Sequence, residues 1–140
     1  MPPLVLDASV AISWCFPGDP SEDTLYSRRV LAELAKREAL VPEIWAFEIA
    51  NNIFVPCTKR KRITEQQVRE YLGRLNALPI RVEPQDLWEN TGLESLARKW
   101  DLAAYDAAYL DLALRKGLSL ATTDENLKTA AQAAGISVLV

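Results

Sequence analysis

Asp7, Glu48, Asp106 and Asp124 are four acids that an alternating strand–helix chain would bring to one place. Asp7 ends the apolar run Leu4-Val5-Leu6, and Asp124 follows the run from Leu118 to Thr123. Asp106 opens a helical stretch. Glu48 lies in another, dominated by Trp45, Phe47, Ile49, Ile53 and Phe54. Carboxylates are rarely buried without a partner. Four at one point would repel one another, and a divalent cation is the usual remedy. Such an ion can lower the pKa of a bound water, hold a phosphodiester in line for attack and offset charge on the leaving oxygen. The four acids therefore point to a metal-dependent hydrolase of a phosphate substrate, in which each is both ligand and catalytic group.

The chain has no histidine. That removes Ser-His-Asp and Cys-His constellations, paired-histidine RNA cleavage and histidine-ligated zinc. It has no phosphate-cradling G-x-x-x-x-G-K-[ST] loop, and its 5 glycines are too scattered for a dinucleotide fingerprint. Oxygen-ligand chemistry remains, and an all-carboxylate site suits Mg²⁺ or Mn²⁺.

Composition frames that chemistry. At 140 residues the chain is expected to form one domain over residues 1–140, large enough to bury a core. Hydrophobic residues are 49% and charged residues 25%, ordinary for a soluble globular protein. No apolar run approaches the ~20 residues that span a bilayer, and Met1-Pro2-Pro3 lacks the basic region of a signal peptide. Cys15 and Cys57 lack C-x-x-C spacing and read as buried thiols in a reducing cytoplasm. The net charge of −3 does not advertise nucleic-acid binding. The basic residues are unevenly placed, however: Lys59, Arg60, Lys61 and Arg62 form the densest cluster, which is either a phosphate contact or a solvated helix end.

The elements follow from the apolar pattern. Short apolar runs alternate with helical periods, as in a parallel sheet covered by helices on both faces. Leu4 to Leu6 reads as the first strand. A helix is expected from Thr24 to Arg37 with Leu25, Val30, Leu31, Leu34 and Ala35 inward, then a brief strand at Leu40-Val41 stopped by Pro42. A helix from Glu43 to Val55 meets Pro56, which would break or bend it. Thr64-Glu65-Gln66-Gln67 has capping-box spacing, so a helix should start there and turn Val68, Tyr71, Leu72 and Leu75 inward. Ile80 to Val82 reads as a strand and Leu87 to Lys99 as a helix burying Leu93, Leu96, Ala97 and Trp100. The helix from Asp106 to Arg115 should end at Gly117. A strand at Leu118 to Thr122, a helix at Glu125 to Ala134 and a fifth strand at Ile136 to Val140 complete a three-layer α/β/α domain.

In open parallel sheets, ligands bind beyond the carboxyl ends of the strands. Asp7 and Asp124 should both project there. Each acid also has a structural reading on its own, as a turn former or helix cap. Asp111 lies five positions after Asp106, so it points roughly 140° away on a helix and reads as a solvated or pairing acid.

VLDASV, PEIWAFEIAN, YDAAYLDLA and LATTDENL resemble, in order and spacing, the four acidic motifs of PIN domains, in particular the VapC-type toxins of bacterial toxin–antitoxin pairs. The resemblance runs from Leu4 to Val140. It implies a five-stranded parallel sheet between helices and a Mg²⁺- or Mn²⁺-dependent endoribonuclease whose four acids are Asp7, Glu48, Asp106 and Asp124. Ser9 and Thr122 match positions that orient ligands or waters rather than bind metal, and Asn51 matches a position often polar in the family. The resemblance further implies a cytoplasmic homodimer that cleaves RNA, inhibits translation, and is blocked by a cognate antitoxin inserting a peptide, often with an arginine, into the acidic cleft. Pro56 departs from the pattern, in which the corresponding helix commonly continues.

Two other classes compete. One is a non-catalytic PIN-fold interaction module, against which four intact acids count. The other is a different aspartate-centred family. A phosphoryl-receiving domain wants a Lys after its last strand, and haloacid-dehalogenase-like phosphatases want an acid where this chain has Ser9. Neither fits.

Overall fold

Leu4, Val5 and Leu6 are fully buried and form β1 (Leu4–Leu6), a strand apolar on both faces because both faces of the sheet are covered there. In the computed structural model, which describes residues 1–54, 63–85 and 92–140, β1 pairs in parallel with β2 (Ala39–Pro42) and β4 (Leu120–Ala121). β2 in turn pairs with β3 (Ile80–Glu83), giving the order β3-β2-β1-β4. The register sets Leu4 against Ala39 and Leu6 against Ala121. The chain moves outward from β1 through β2 to β3, then returns to the far side of β1 for β4. The reversal lies between β1 and β4, where such sheets place their ligand crevice.

Among the described residues the sheet has four strands rather than the five expected. Ile136 to Val140 contributes one parallel bridge, Leu120 to Val138, with hydrogen bonds from Leu120 N to Ser137 O and from Leu139 N to Leu120 O. β4 is only two residues long, so it offers this segment almost no ladder to extend.

Seven helices are described: α1 (Ala8–Ser13), α2 (Leu25–Glu33), α3 (Ile44–Phe54), α4 (Glu65–Ala77), α5 (Gly92–Trp100), α6 (Ala104–Lys116) and α7 (Glu125–Ala133). Thr24 caps α2 and Thr64 caps α4, each through a reciprocal capping box with the residue three positions on. The inner face of α2 is Ser27, Val30 and Leu34, while Leu25 is 72% exposed and Leu31 and Ala35 also face outward, contrary to the expected stripe. The Ser27 hydroxyl closes the capping box from the buried face of the helix. On α4, Tyr71 and Leu75 are buried as expected but Leu72 is exposed.

α6 runs through the middle of the domain, with every residue from Ala107 to Ala113 buried. Gly117 stops it in a left-handed conformation at φ 65°, where a side chain would be strained. No helix among the described residues is long and apolar enough to cross a membrane.

Candidate active site

Four separate elements deliver the four acids. Asp7 follows β1 and is the N-cap residue of α1; Glu48 lies on α3; Asp106 is in the first turn of α6; Asp124 is the N-cap of α7 just past β4. All four line one cleft of about 320 Å³, together with Ser9, Ile12, Glu22, Asn52 and Thr123. No basic side chain is among its described lining residues. The carboxylates share this cleft without meeting at one point: among the described residues, no three acidic or thiol side chains stand close enough to hold an ion as they are placed.

Asp7 is buried and held by hydroxyls. Its Oδ2 accepts from Ser9 Oγ at 2.6 Å and from Thr122 Oγ1 at 2.7 Å. The same two hydroxyls take part in the β4–α7 turn: Thr123 N donates to Ser9 Oγ and Asp124 N donates to Thr122 Oγ1. Asp124 Oδ1 in turn accepts from the amides of Asn126 and Leu127, capping α7. Glu48 Oε1 accepts from the Tyr109 hydroxyl at 2.7 Å.

The acids feel one another. Burial pushes the Glu48 carboxyl up to about 7, with the charges of Asp7 and Asp106 adding to it and the Tyr109 hydrogen bond opposing. Burial raises Asp106 to about 6, reinforced by Asp124 and Asp7. Asp7 is raised as well, by burial first; its hydroxyl partners pull the other way and the Asp124 charge adds to the rise. An anionic cleft whose members disfavour each other's ionisation is one that a cation would relieve.

Residues 4–133 match the PIN domain family. The chain belongs to that family. Solved structures share the PIN fold at low identity. PAE2754 from Pyrobaculum aerophilum has 17% identity and a TM-score of 0.69, covering 91% of this chain and 78% of that one. VapC20 of Mycobacterium tuberculosis, a sarcin–ricin-loop-cleaving toxin, has 17% identity and a TM-score of 0.63, covering 97% and 98%. FitAcB from Neisseria gonorrhoeae has 18% identity and a TM-score of 0.58, covering 100% and 97%. No curated protein sequence matches the chain.

Within this PIN domain, Ser9 and Thr122 both stand where they can orient Asp7. Asn51 is exposed and does not line the cleft. The next residue does, and Asn52 Nδ2 also bonds Glu48 O at 2.9 Å. Asp106 is not a cap, since Ala103 holds that position without a side-chain bond. Asp111 is buried rather than solvated, and pairs with Arg115 at 2.9 Å and with Gln85 at 3.4 Å. Two tyrosines that no sequence motif singles out also serve the site: Tyr109, bonded to Glu48, and Tyr26, whose hydroxyl accepts from Thr122 N at 3.2 Å. The basic run Lys59-Arg60-Lys61-Arg62, Pro56 and Cys57 lie outside the described residues.

Proposed function

We propose that this PIN domain is a Mg²⁺- or Mn²⁺-dependent endoribonuclease, the toxin of a toxin–antitoxin pair that inhibits translation by cutting RNA. The observation that carries the reading is the convergence of four acids from four elements on one cleft devoid, among its described lining residues, of basic side chains. PIN domains are generally nucleases, and the similar VapC20 is a sarcin–ricin-loop-cleaving toxin.

The donor set fits a hard cation: all-oxygen, multiply anionic and mutually repelling. Asp7, Glu48, Asp106 and Asp124 would hold the ion. When bound it supplies a water of lowered pKa and offsets charge on the scissile phosphate. Ser9 and Thr122 fix the Asp7 carboxylate from behind, so its rotamer is set before any ligand arrives. Glu48, raised to about 7, holds its proton loosely enough near neutral pH to exchange it for a cation. An RNA phosphodiester entering without a cation would meet the carboxylates of Asp7, Glu22, Glu48, Asp106 and Asp124. That repulsion makes the metal an obligatory part of the reading.

Lys59, Arg60, Lys61 and Arg62 would contact RNA phosphate, and their replacement by Ala would flatten the salt dependence of binding. A cognate antitoxin would close the cleft with a cationic side chain such as Arg, the counter-charge its acids invite. The toxin would work as a cytoplasmic homodimer.

A second reading, a non-catalytic interaction module, draws on the carboxylates' failure to meet at one point and on Asp124's service as a helix cap. RNA cleavage assays in Mg²⁺ and Mn²⁺ decide between them. Cleavage should be abolished by EDTA and by Asp7→Asn. Activity that survives both rejects the metal mechanism, and a purified wild type inert on RNA with either metal supports the module.

A further inference from the structure

Tyr109 is completely buried on α6, one turn after Asp106, and its hydroxyl makes two bonds. It donates to Glu48 Oε1 at 2.7 Å and accepts from Ala8 N at 3.3 Å. A tyrosine hydroxyl has a single proton to give, and here it goes to a carboxylate of the cleft. The amide it accepts from is the first of α1, directly after Asp7. One phenol therefore ties the β1–α1 turn, which carries Asp7, to α3, which carries Glu48, and does so from the helix that carries Asp106.

A buried phenol needs some partner, and a simple structural bond would satisfy it. The choice of partners argues for more. Phenylalanine would supply the same ring without the oxygen. The oxygen is accounted for by Glu48 and Ala8. Glu48 comes from a helix whose neighbouring residues Ala46, Phe47, Ala50 and Asn51 are exposed, so its flexible three-bond side chain needs an anchor to stay turned toward the cleft.

We infer that Tyr109 is a positioning residue that fixes the Glu48 carboxylate in the acidic cleft, leaving its second oxygen for a divalent cation. The inference rests on the metal-dependent reading above. Outer partners of carboxylate ligands are worth roughly 10–100-fold in metal affinity.

Mn²⁺ binding to the full-length protein, followed by calorimetry or electron paramagnetic resonance, tests it without any need for RNA. Tyr109→Phe should weaken Mn²⁺ binding at least about tenfold. In a Glu48→Ala background the same Tyr109→Phe change should cost nothing further, because no carboxylate remains to be positioned. Equal Mn²⁺ affinity in wild type and Tyr109→Phe overturns the inference, as does an undiminished loss in the Glu48→Ala background. A crystal of the Mn²⁺-loaded wild type supplies a reading free of folding effects. The Tyr109–Glu48 bond should persist with the other Glu48 oxygen on the ion, and a Glu48 swung away from Tyr109 refutes the role. Wild type that binds no Mn²⁺ removes the parent reading and this one together, whereas a failure confined to the variants removes this one alone.

Discussion

Thr122 Oγ1 donates a 2.7 Å hydrogen bond to Asp7 Oδ2 across 115 positions of sequence, tying together the carboxyl ends of β1 and β4. Thr122 is buried, and its oxygen also accepts from Asp124 N. Thr122→Val keeps the shape, removes the donor and leaves the Asp124 amide without that acceptor. Loss of a partner to buried polar groups costs about 1–3 kcal/mol. Thr122→Val should therefore lower stability in urea titration and lower RNA cleavage, while Thr122→Ser, which keeps the hydroxyl, should restore most of both. A Thr122→Val protein as stable and active as wild type would show that the bond does not hold Asp7.

Asp124 has two tasks that can be separated. Its Oδ1 caps α7, which an asparagine oxygen does equally well, but only the carboxylate can neutralise a cation. Asp124→Asn should keep wild-type stability and lose Mn²⁺ affinity and cleavage. Asp124→Ala should lose both, with a stability cost of about 1 kcal/mol for the missing cap. Thermal melts beside Mn²⁺ titrations check the pair. Full activity in Asp124→Asn would reduce Asp124 to a cap.

The pH dependence of stability has a definite sign. Glu48 is raised to about 7 and Asp106 to about 6, from ordinary values of 4.5 and 3.8, and Asp7 is raised as well. The folded state therefore binds these protons more tightly than the unfolded chain. The stability they contribute is fully present below the unfolded values and is lost as pH rises through 6 and 7. With no histidine in the chain, few other side chains titrate in that window. In EDTA the Tm should be higher near pH 5 than near pH 8. A cation competes with the same protons, so the rise in Tm on adding Mg²⁺ should be larger at the higher pH. A Tm in EDTA that is flat or climbs across the window would contradict the burial of these acids.

Much of this was legible in the sequence, for reasons that also explain the misses. β1 was readable because three consecutive apolar residues ending in an acid leave little alternative, and the capping box at Thr64 is a local signal that tertiary context did not need to supply. α1 is hard to read because Ala8 to Ser13 is short and follows its strand after the single residue Asp7. Leu25 and Leu31 looked inward by composition, but the angle of α2 is set by its contact with the rest of the fold, which no window of sequence contains. The same limit applies to Asn51 and Asn52. Adjacent helix positions differ by ~100°, so the facing residue depends on how α3 is rotated on the sheet. Tyr109 reads as one more apolar residue on a buried helix until the chain's other segments bring Ala8 and Glu48 to its oxygen.

Asp106 and Asp111 share α6, and their fates there make a direct test of the assignment. Asp106 is half-buried and faces the cleft; Asp111 is buried and ion-paired with Arg115. Both are acids in the same apolar motif, so composition alone would not choose between them. Removing the Asp106 charge relieves repulsion from Asp124 and Asp7, so Asp106→Asn should leave the metal-free protein at least as stable as wild type at neutral pH. The same change should abolish cleavage and weaken Mn²⁺ binding. Asp111→Asn removes the buried carboxylate of a pair whose Arg115 is exposed, and should destabilise the protein while leaving Mn²⁺ affinity and the cleavage rate of the folded fraction near wild type. The two variants thus move stability and activity in opposite patterns. If Asp111→Asn abolishes Mn²⁺ binding while Asp106→Asn spares it, the acidic cleft has been drawn around the wrong residue.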